Sequence, residues 1–182
     1  MGNKFIFLSI PKTGTSTLNA IIRKNYDKNQ IFNINGYMID DSIKKFKNLP
    51  SNKINKYKWI TGHMGFGLHR LLKGNVKYIT ILRDPIDRVI SYYYYLQQAS
   101  FYGKTYKKAK NMTLEEYIET KESFGLSNEH GLNNEQTRFL SSTNGFPITF
   151  KDKLKLDEND LKRAKNNLKK HFALIGITKK YD

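Results

Sequence analysis

The sequence predicts an α/β fold: a mostly parallel central sheet flanked by helices, with a P-loop-like strand–loop–helix phosphate site at its start. Three observations carry that expectation. Short apolar, β-branched runs alternate with stretches of helical periodicity, the signature of βαβ units. The first such run passes directly into a tight loop and then a helix. Finally, the polar motifs all follow strand-like runs, and sheets of this class bind ligands beyond the carboxyl ends of their strands.

KFIFLSI (Lys4–Ile10) reads as a buried strand that runs into Pro11 and Gly14. TSTLNAIIRKNY (15–26) follows as a helix with Leu18, Ile21 and Ile22 at helical spacing and Thr15 or Ser16 as N-cap. A second helix, 38–49, has Ile39, Ile43 and Phe46 on one side. KYKWIT (56–61) is a strand ending at Gly62-His63, and VKYITIL (76–82) is another. Pro85 opens a long helix, 85–101, at the first helical position that proline favours. Thr113 and Glu116 form a capping box for a helix at 113–120. A helix at 157–171 carries Leu161, Ala164 and Leu168 as its apolar stripe. FALIGI (172–177) is expected as a last buried strand.

The chain has 182 residues, with 32 Lys plus Arg against 16 Asp plus Glu, a formal net charge of +16. That length suits one domain, 1–182, which buries roughly 70% of its extended-chain surface. At 38% apolar and 13% aromatic, the composition is too rich in core formers for a disordered basic tail. The absence of cysteine excludes disulfide frameworks, thiol nucleophiles and thiolate zinc sites. The four histidines show no HExxH spacing, and no EF-hand spacing appears, so no metal is expected. No apolar run approaches the ~20 residues needed to span a bilayer. MGNKFIFLSIP lacks a signal-peptide core, and Ile6 breaks the myristoylation pattern. A soluble, cytoplasmic protein is the expectation.

Ile10 to Thr17 read Ile-Pro-Lys-Thr-Gly-Thr-Ser-Thr. Gly14 permits a tight turn, and the amides beyond it, with the helix N-terminus, favour an anion. Thr13, Thr15, Ser16 and Thr17 offer hydroxyl donors and Lys12 a full charge. The same spacing equally suits a plain polar strand-to-helix turn. A Walker A loop is a poor match, because its lysine follows the second glycine whereas Lys12 precedes Gly14. RDPIDRVIS (83–91) again follows a strand. Arg83 could take a phosphate with two parallel hydrogen bonds, with Ser91 about two helical turns on. The competing reading pairs Arg83 with Asp84 or Asp87.

Together PKTGTST, GHMGFGLH and LRDPIDRVISYYYY, in this order and at these strand ends, resemble the carbohydrate sulfotransferases. The resemblance is greatest to the branch containing heparan sulfate uronyl 2-O-sulfotransferase. NEQTRFLSS (134–142) and HFALIGITKKYD (171–182) extend it over nearly the whole chain. It implies transfer of a sulfuryl group from 3′-phosphoadenosine-5′-phosphosulfate (PAPS) to a hydroxyl, without a metal, leaving the bisphosphate PAP. By the same resemblance Lys12, Thr13, Gly14, Thr15, Ser16 and Thr17 would hold the 5′-phosphosulfate, with Lys12 stabilising the leaving phosphate. Arg83 and Ser91 would hold the 3′-phosphate, and His63 would be the general base. His69 would touch the acceptor or cap its local turn. Lys104, Lys107 and Lys108 would touch an anionic glycan, or else sit on a solvated loop. Of Tyr92–Tyr95 most should be core, with one ring at the cleft.

Two departures bear on the acceptor. Ser9 stands where the uronyl enzyme has a basic residue, and relatives continue beyond the position of Asp182 with a segment not represented here. The acceptor is expected to be an anionic glycan or a small hydroxyl compound, with no nucleic acid and no membrane span. Two other readings compete: a nucleotide or sugar kinase-like phosphotransferase, which needs metal carboxylates, and a basic nucleic-acid-binding domain, suggested by charge with interleaved tyrosine.

Overall fold

Five parallel strands organise the chain in the computed structural model, which describes residues 3–98, 110–119, 132–148, 152 and 155–179. They are β1 (Lys4–Leu8), β2 (Ile31–Ile34), β3 (Trp59–Gly62), β4 (Val76–Arg83) and β5 (Phe172–Thr178), in the spatial order β2-β3-β1-β4-β5. The order reverses direction around β1, which pairs with β3 on one side and β4 on the other. Loops leaving β1 and β4 therefore open on the same end of the sheet, beside one another. That end is where ligands bind in open α/β sheets.

The helices are α1 (Thr15–Asn25), α2 (Ile39–Lys47), α3 (Ser51–Ile54), α4 (Pro85–Gln98), α5 (Leu114–Glu119), α6 (Glu135–Leu140) and α7 (Glu158–His171). Alternation along β1 sorts its side chains onto the two faces of the sheet. Ile6 and Leu8 join Ile43 and Phe46 of α2, Phe139 and Leu140 of α6 and Ala164 of α7 in the larger core. Phe7 turns the other way and packs with Ile22 of α1 and Trp59 of β3. Each fully buried Ile, Leu or Phe contributes about 1.5–3 kcal/mol relative to exposure. Among the described residues no helix is long and apolar enough to cross a membrane.

Several elements differ from the sequence expectation for identifiable reasons. β2 has only four residues, IFNI, too short to reveal a period. Gly14, not Thr15 or Ser16, is the N-cap of α1, and no side chain caps that helix. Leu161 is 44% exposed, because the buried inner position of that turn goes to Asp160. The Asp160 carboxylate accepts from the Asp157 amide (3.0 Å) and pairs with Arg163. β5 is an edge strand rather than a buried one. α1 covers β1 and β3 but stops short of it, so Leu174 and Ile177 are exposed beside a groove of about 530 Å³. The Thr113–Glu116 capping box and the Pro85 helix start are as expected, with the Asp84 carboxylate accepting from the Ile86 (2.9 Å) and Asp87 (3.1 Å) amides.

Charges inside the helical layer are answered. Arg88 of α4 pairs with Glu135 at the start of α6, both buried. Burial pushes the Glu135 carboxyl up to about 7, against the pull of the guanidinium. Arg138, fully buried, donates to the Asn133 carbonyl (2.9 Å), the Asn133 side chain (3.2 Å) and the Ile148 carbonyl (3.3 Å). Arg163 donates to the Ser141 carbonyl (2.7 Å). These bonds lock α6 between α4 and α7.

Candidate active site

A cavity of about 350 Å³ opens at the carboxyl end of the sheet, within the size range of small-ligand sites. Pro11, Lys12, Gly14, Thr15 and Ser16 line it from the first loop, His63 from the end of β3, Arg83 from the end of β4, and Ser91, Tyr92 and Tyr95 from α4. Three motifs separated by up to some eighty residues thus converge. Ser91 reaches the same cavity as Arg83 because α4 runs back past the end of its own strand. No carboxylate lines the cavity among the described residues.

The loop is built to present donors. Lys12 has a left-handed backbone (φ 66°), which costs a non-glycine residue about 1–2 kcal/mol and is held by its surroundings. Gly14 is also left-handed (φ 81°), and a Cβ there would lie 3.0 Å from the Thr178 hydroxyl oxygen. That hydroxyl donates to the Thr13 carbonyl (2.6 Å), so β5 pins the loop from behind. With no side-chain cap on α1, its first amides keep donor capacity for a ligand, at the positive end of the helix dipole.

The two cations of the cavity are close enough to affect each other. Burial and then the Arg83 charge both lower the Lys12 pKa. The Lys12 ammonium sits over the Tyr95 ring, 4.5 Å from its centre, a contact that steadies a charge lacking a carboxylate. Arg83 donates through Nη1 to the Lys12 carbonyl at 3.4 Å, while its Nε is buried with no hydrogen-bond partner. Asp84, one of the two expected competitors for Arg83, spends its carboxylate oxygen on the α4 amides.

His63 is fixed as a single tautomer. A carbonyl oxygen only accepts, so the 2.8 Å contact between Nδ1 and the Ser9 carbonyl puts the proton on Nδ1 and leaves the Nε2 lone pair free. Burial lowers the His63 pKa, partly offset by that hydrogen bond. The imidazole is therefore neutral at neutral pH. Gly36 closes the other side, since a Cβ there would fall 2.7 Å from the His63 Cβ and 3.1 Å from Cδ2.

Some expected residues fall elsewhere. Thr13 is fully buried and its hydroxyl donates to the Ile10 carbonyl (3.0 Å), so it folds the loop rather than lining the cavity. Thr17, roughly 200° round α1 from Thr15, lines the groove beside β5 instead. His69 does not line the cavity. It receives the Tyr78 hydroxyl proton at Nδ1 (3.1 Å), while the Tyr78 oxygen accepts the Gly67 and His69 amides (both 3.1 Å). Burial, then His171 and Arg70, push the His69 pKa down to about 4. Its ring is spent on Tyr78, whose hydroxyl takes the amides of the turn that carries His69. Lys104, Lys107 and Lys108 lie outside the described residues. Sequence reasoning missed Tyr95 as the partner of Lys12 and Gly36 behind His63; the first was visible only as one ring in a tyrosine run.

An open parallel sheet with a cationic cavity at the carboxyl end of its strands defines an α/β protein whose cavity is suited in charge to an anion. Residues 2–177 match the model of the sulfotransferase family, and the chain belongs to that family. It is similar to human heparan sulfate 2-O-sulfotransferase 1, 29% identical over 117 residues that cover 58% of this chain and 32% of that protein. The chicken (Gallus gallus) protein of the same name gives the same figures. The chain spans about a third of the length of these curated relatives. Among solved structures, mouse sulfotransferase SULT7A1 complexed with PAP is 22% identical, with a TM-score of 0.35 over 59% of this chain and 39% of that one. That likeness is too slight to locate residues by.

Proposed function

We propose that the protein transfers a sulfuryl group from PAPS to a hydroxyl of a carbohydrate or other anionic acceptor. The observation that carries this reading is the cavity itself: Lys12, Arg83 and a neutral imidazole share about 350 Å³ with no carboxylate lining it among the described residues. Such a site suits a donor rich in negative charge. The partnerless buried Nε of Arg83 and the uncapped start of α1 are donors that a phosphate would satisfy. A kinase-like reading lacks its metal carboxylates here, and the family match supports neither that nor nucleic-acid binding.

In this reading the loop amides, Thr15 and Ser16 hold the 5′-phosphosulfate, and Arg83 with Ser91 holds the 3′-phosphate. His63 Nε2 takes the proton of the acceptor hydroxyl as its oxygen bonds to sulfur. Lys12 and the loop amides stabilise the charge left on the departing phosphate oxygen as its bond to sulfur breaks. A base so placed contributes about 10²–10⁴-fold. The net charge of +16 would draw both a polyanionic donor and a glycan acceptor.

Thermal melting with PAP, compared with ATP and ADP, tests the reading. PAP at ~100 times its Kd raises stability by about 2.7 kcal/mol, a visible shift. Equal shifts with all three nucleotides, or none with PAP, would overturn it.

A further inference from the structure

Gln136 makes two hydrogen bonds that neither its sequence position nor its helix accounts for. The Arg83 amide donates to its Oε1 (3.0 Å), and its Nε2 donates to the Arg83 carbonyl (2.8 Å). One carboxamide thus takes both main-chain groups of one residue, as a neighbouring strand would. The pairing of β4 with β1 ends at Thr80 opposite Leu8, so the last three residues of β4 run on beyond β1. Gln136 closes that gap at the residue whose side chain enters the cavity.

The guanidinium has little else to hold it. Its hydrogen bonds to protein among the described residues come to one long bond at 3.4 Å, and its buried Nε has no hydrogen-bond partner. The direction of the Arg83 side chain therefore depends on its main chain, which Gln136 grips. Gln136 itself stands on a rigid support, because α6 is anchored by the Arg88–Glu135 pair and by buried Arg138. It also lines a separate, largely apolar cavity on the other side of α4 from the anion site, so its carboxamide is not itself a ligand contact in the cavity.

We infer that Gln136 is the positioning residue that aims Arg83 at the 3′-phosphate, and so sets the preference for a 3′-phosphorylated nucleotide. This rests on the function proposed above. It predicts a defect that falls on one phosphate only. Adenosine 3′,5′-bisphosphate and adenosine 5′-monophosphate differ solely in the group Arg83 would hold, so their affinity ratio reads Arg83 placement directly.

The experiment measures both affinities by calorimetry in the wild type, Gln136→Met, Arg83→Met and the double variant. Gln136→Met should weaken PAP about tenfold, the size of a misplaced charged hydrogen bond, and leave 5′-AMP unchanged. In the Arg83→Met background it should change nothing further. Gln136→Glu keeps the acceptor for the Arg83 amide and serves if the Met variant folds poorly; it should give a smaller loss of the ratio. An unchanged ratio in both Gln136 variants, or equal weakening of both nucleotides, overturns the assignment of Gln136. A wild type that shows no preference for PAP overturns the Arg83 reading beneath it, and the two failures are thereby separable.

Discussion

Arg88, Arg138 and Arg163 in the helical layer, and Lys12 and Arg83 at the sheet end, are cations of one small protein treated in opposite ways. The first three meet carboxylates and carbonyls at short range; Arg88 and Arg138 are buried, Arg88 together with its acceptor Glu135. The other two share a cavity that no carboxylate lines among the described residues, one resting on a tyrosine ring and one with a buried donor unused. Burial of polar groups is costly unless they are paired, so unpaired ones persist where something else selects for them. The contrast teaches where this molecule keeps structure and where it keeps binding capacity. Changes in the first region should act on folding, and changes in the second on ligand and turnover.

Glu135→Ala should give the largest effect on the folding side. It removes the buried carboxylate that pairs with the Arg88 guanidinium and should cost about 3–5 kcal/mol in denaturant unfolding. A loss below about 1 kcal/mol would erase the distinction between the two regions. On the binding side, His63→Ala should lower turnover about 10²–10⁴-fold while PAP affinity stays within a few-fold. Normal turnover in that variant would remove His63 as the base.

The smallest effect concerns pH and sharpens the comparison within one loop. His69 has its folded pKa pushed down to about 4 from an ordinary 6.5, so the unfolded chain binds its proton first. The stability it contributes is present above pH 6.5 and is lost as pH falls towards 4. A protonated ring can no longer accept the Tyr78 hydroxyl proton. Melting temperature should decline over that window, and His69→Gln should flatten part of the decline; an identical pH profile in the variant would deny His69 this role. His63, lowered in the same direction, should keep turnover working to pH values below those of an ordinary histidine.

Much of the fold was legible because its signals are local. KFIFLSI, VKYITIL and the periodic stretches at 15–26 and 157–171 carry enough residues for a period to show. The four residues of β2 and the six of α6 do not. The edge position of β5 is set by the strand order, in which it pairs with β4 alone, and no property of FALIGI encodes that. At the site, Lys12, His63, Arg83 and Ser91 could be picked out because each follows or flanks a strand in a polar motif. Which hydroxyls of the loop face the ligand could not, since Thr13 turns inward only because the Ile10 carbonyl awaits it. Gln136 is 53 positions from Arg83, and no spacing rule joins them.

Thr178 closes the account from the other end of the chain. Its hydroxyl holds the Thr13 carbonyl across 165 positions, and its side chain fills the space that a Cβ on Gly14 would need. The lysine turn is thus not a portable module. A peptide spanning β1, the turn and α1 would carry every residue of the motif and still lack the brace that shapes it. Grafting that stretch onto a foreign sheet would transplant its letters without its geometry.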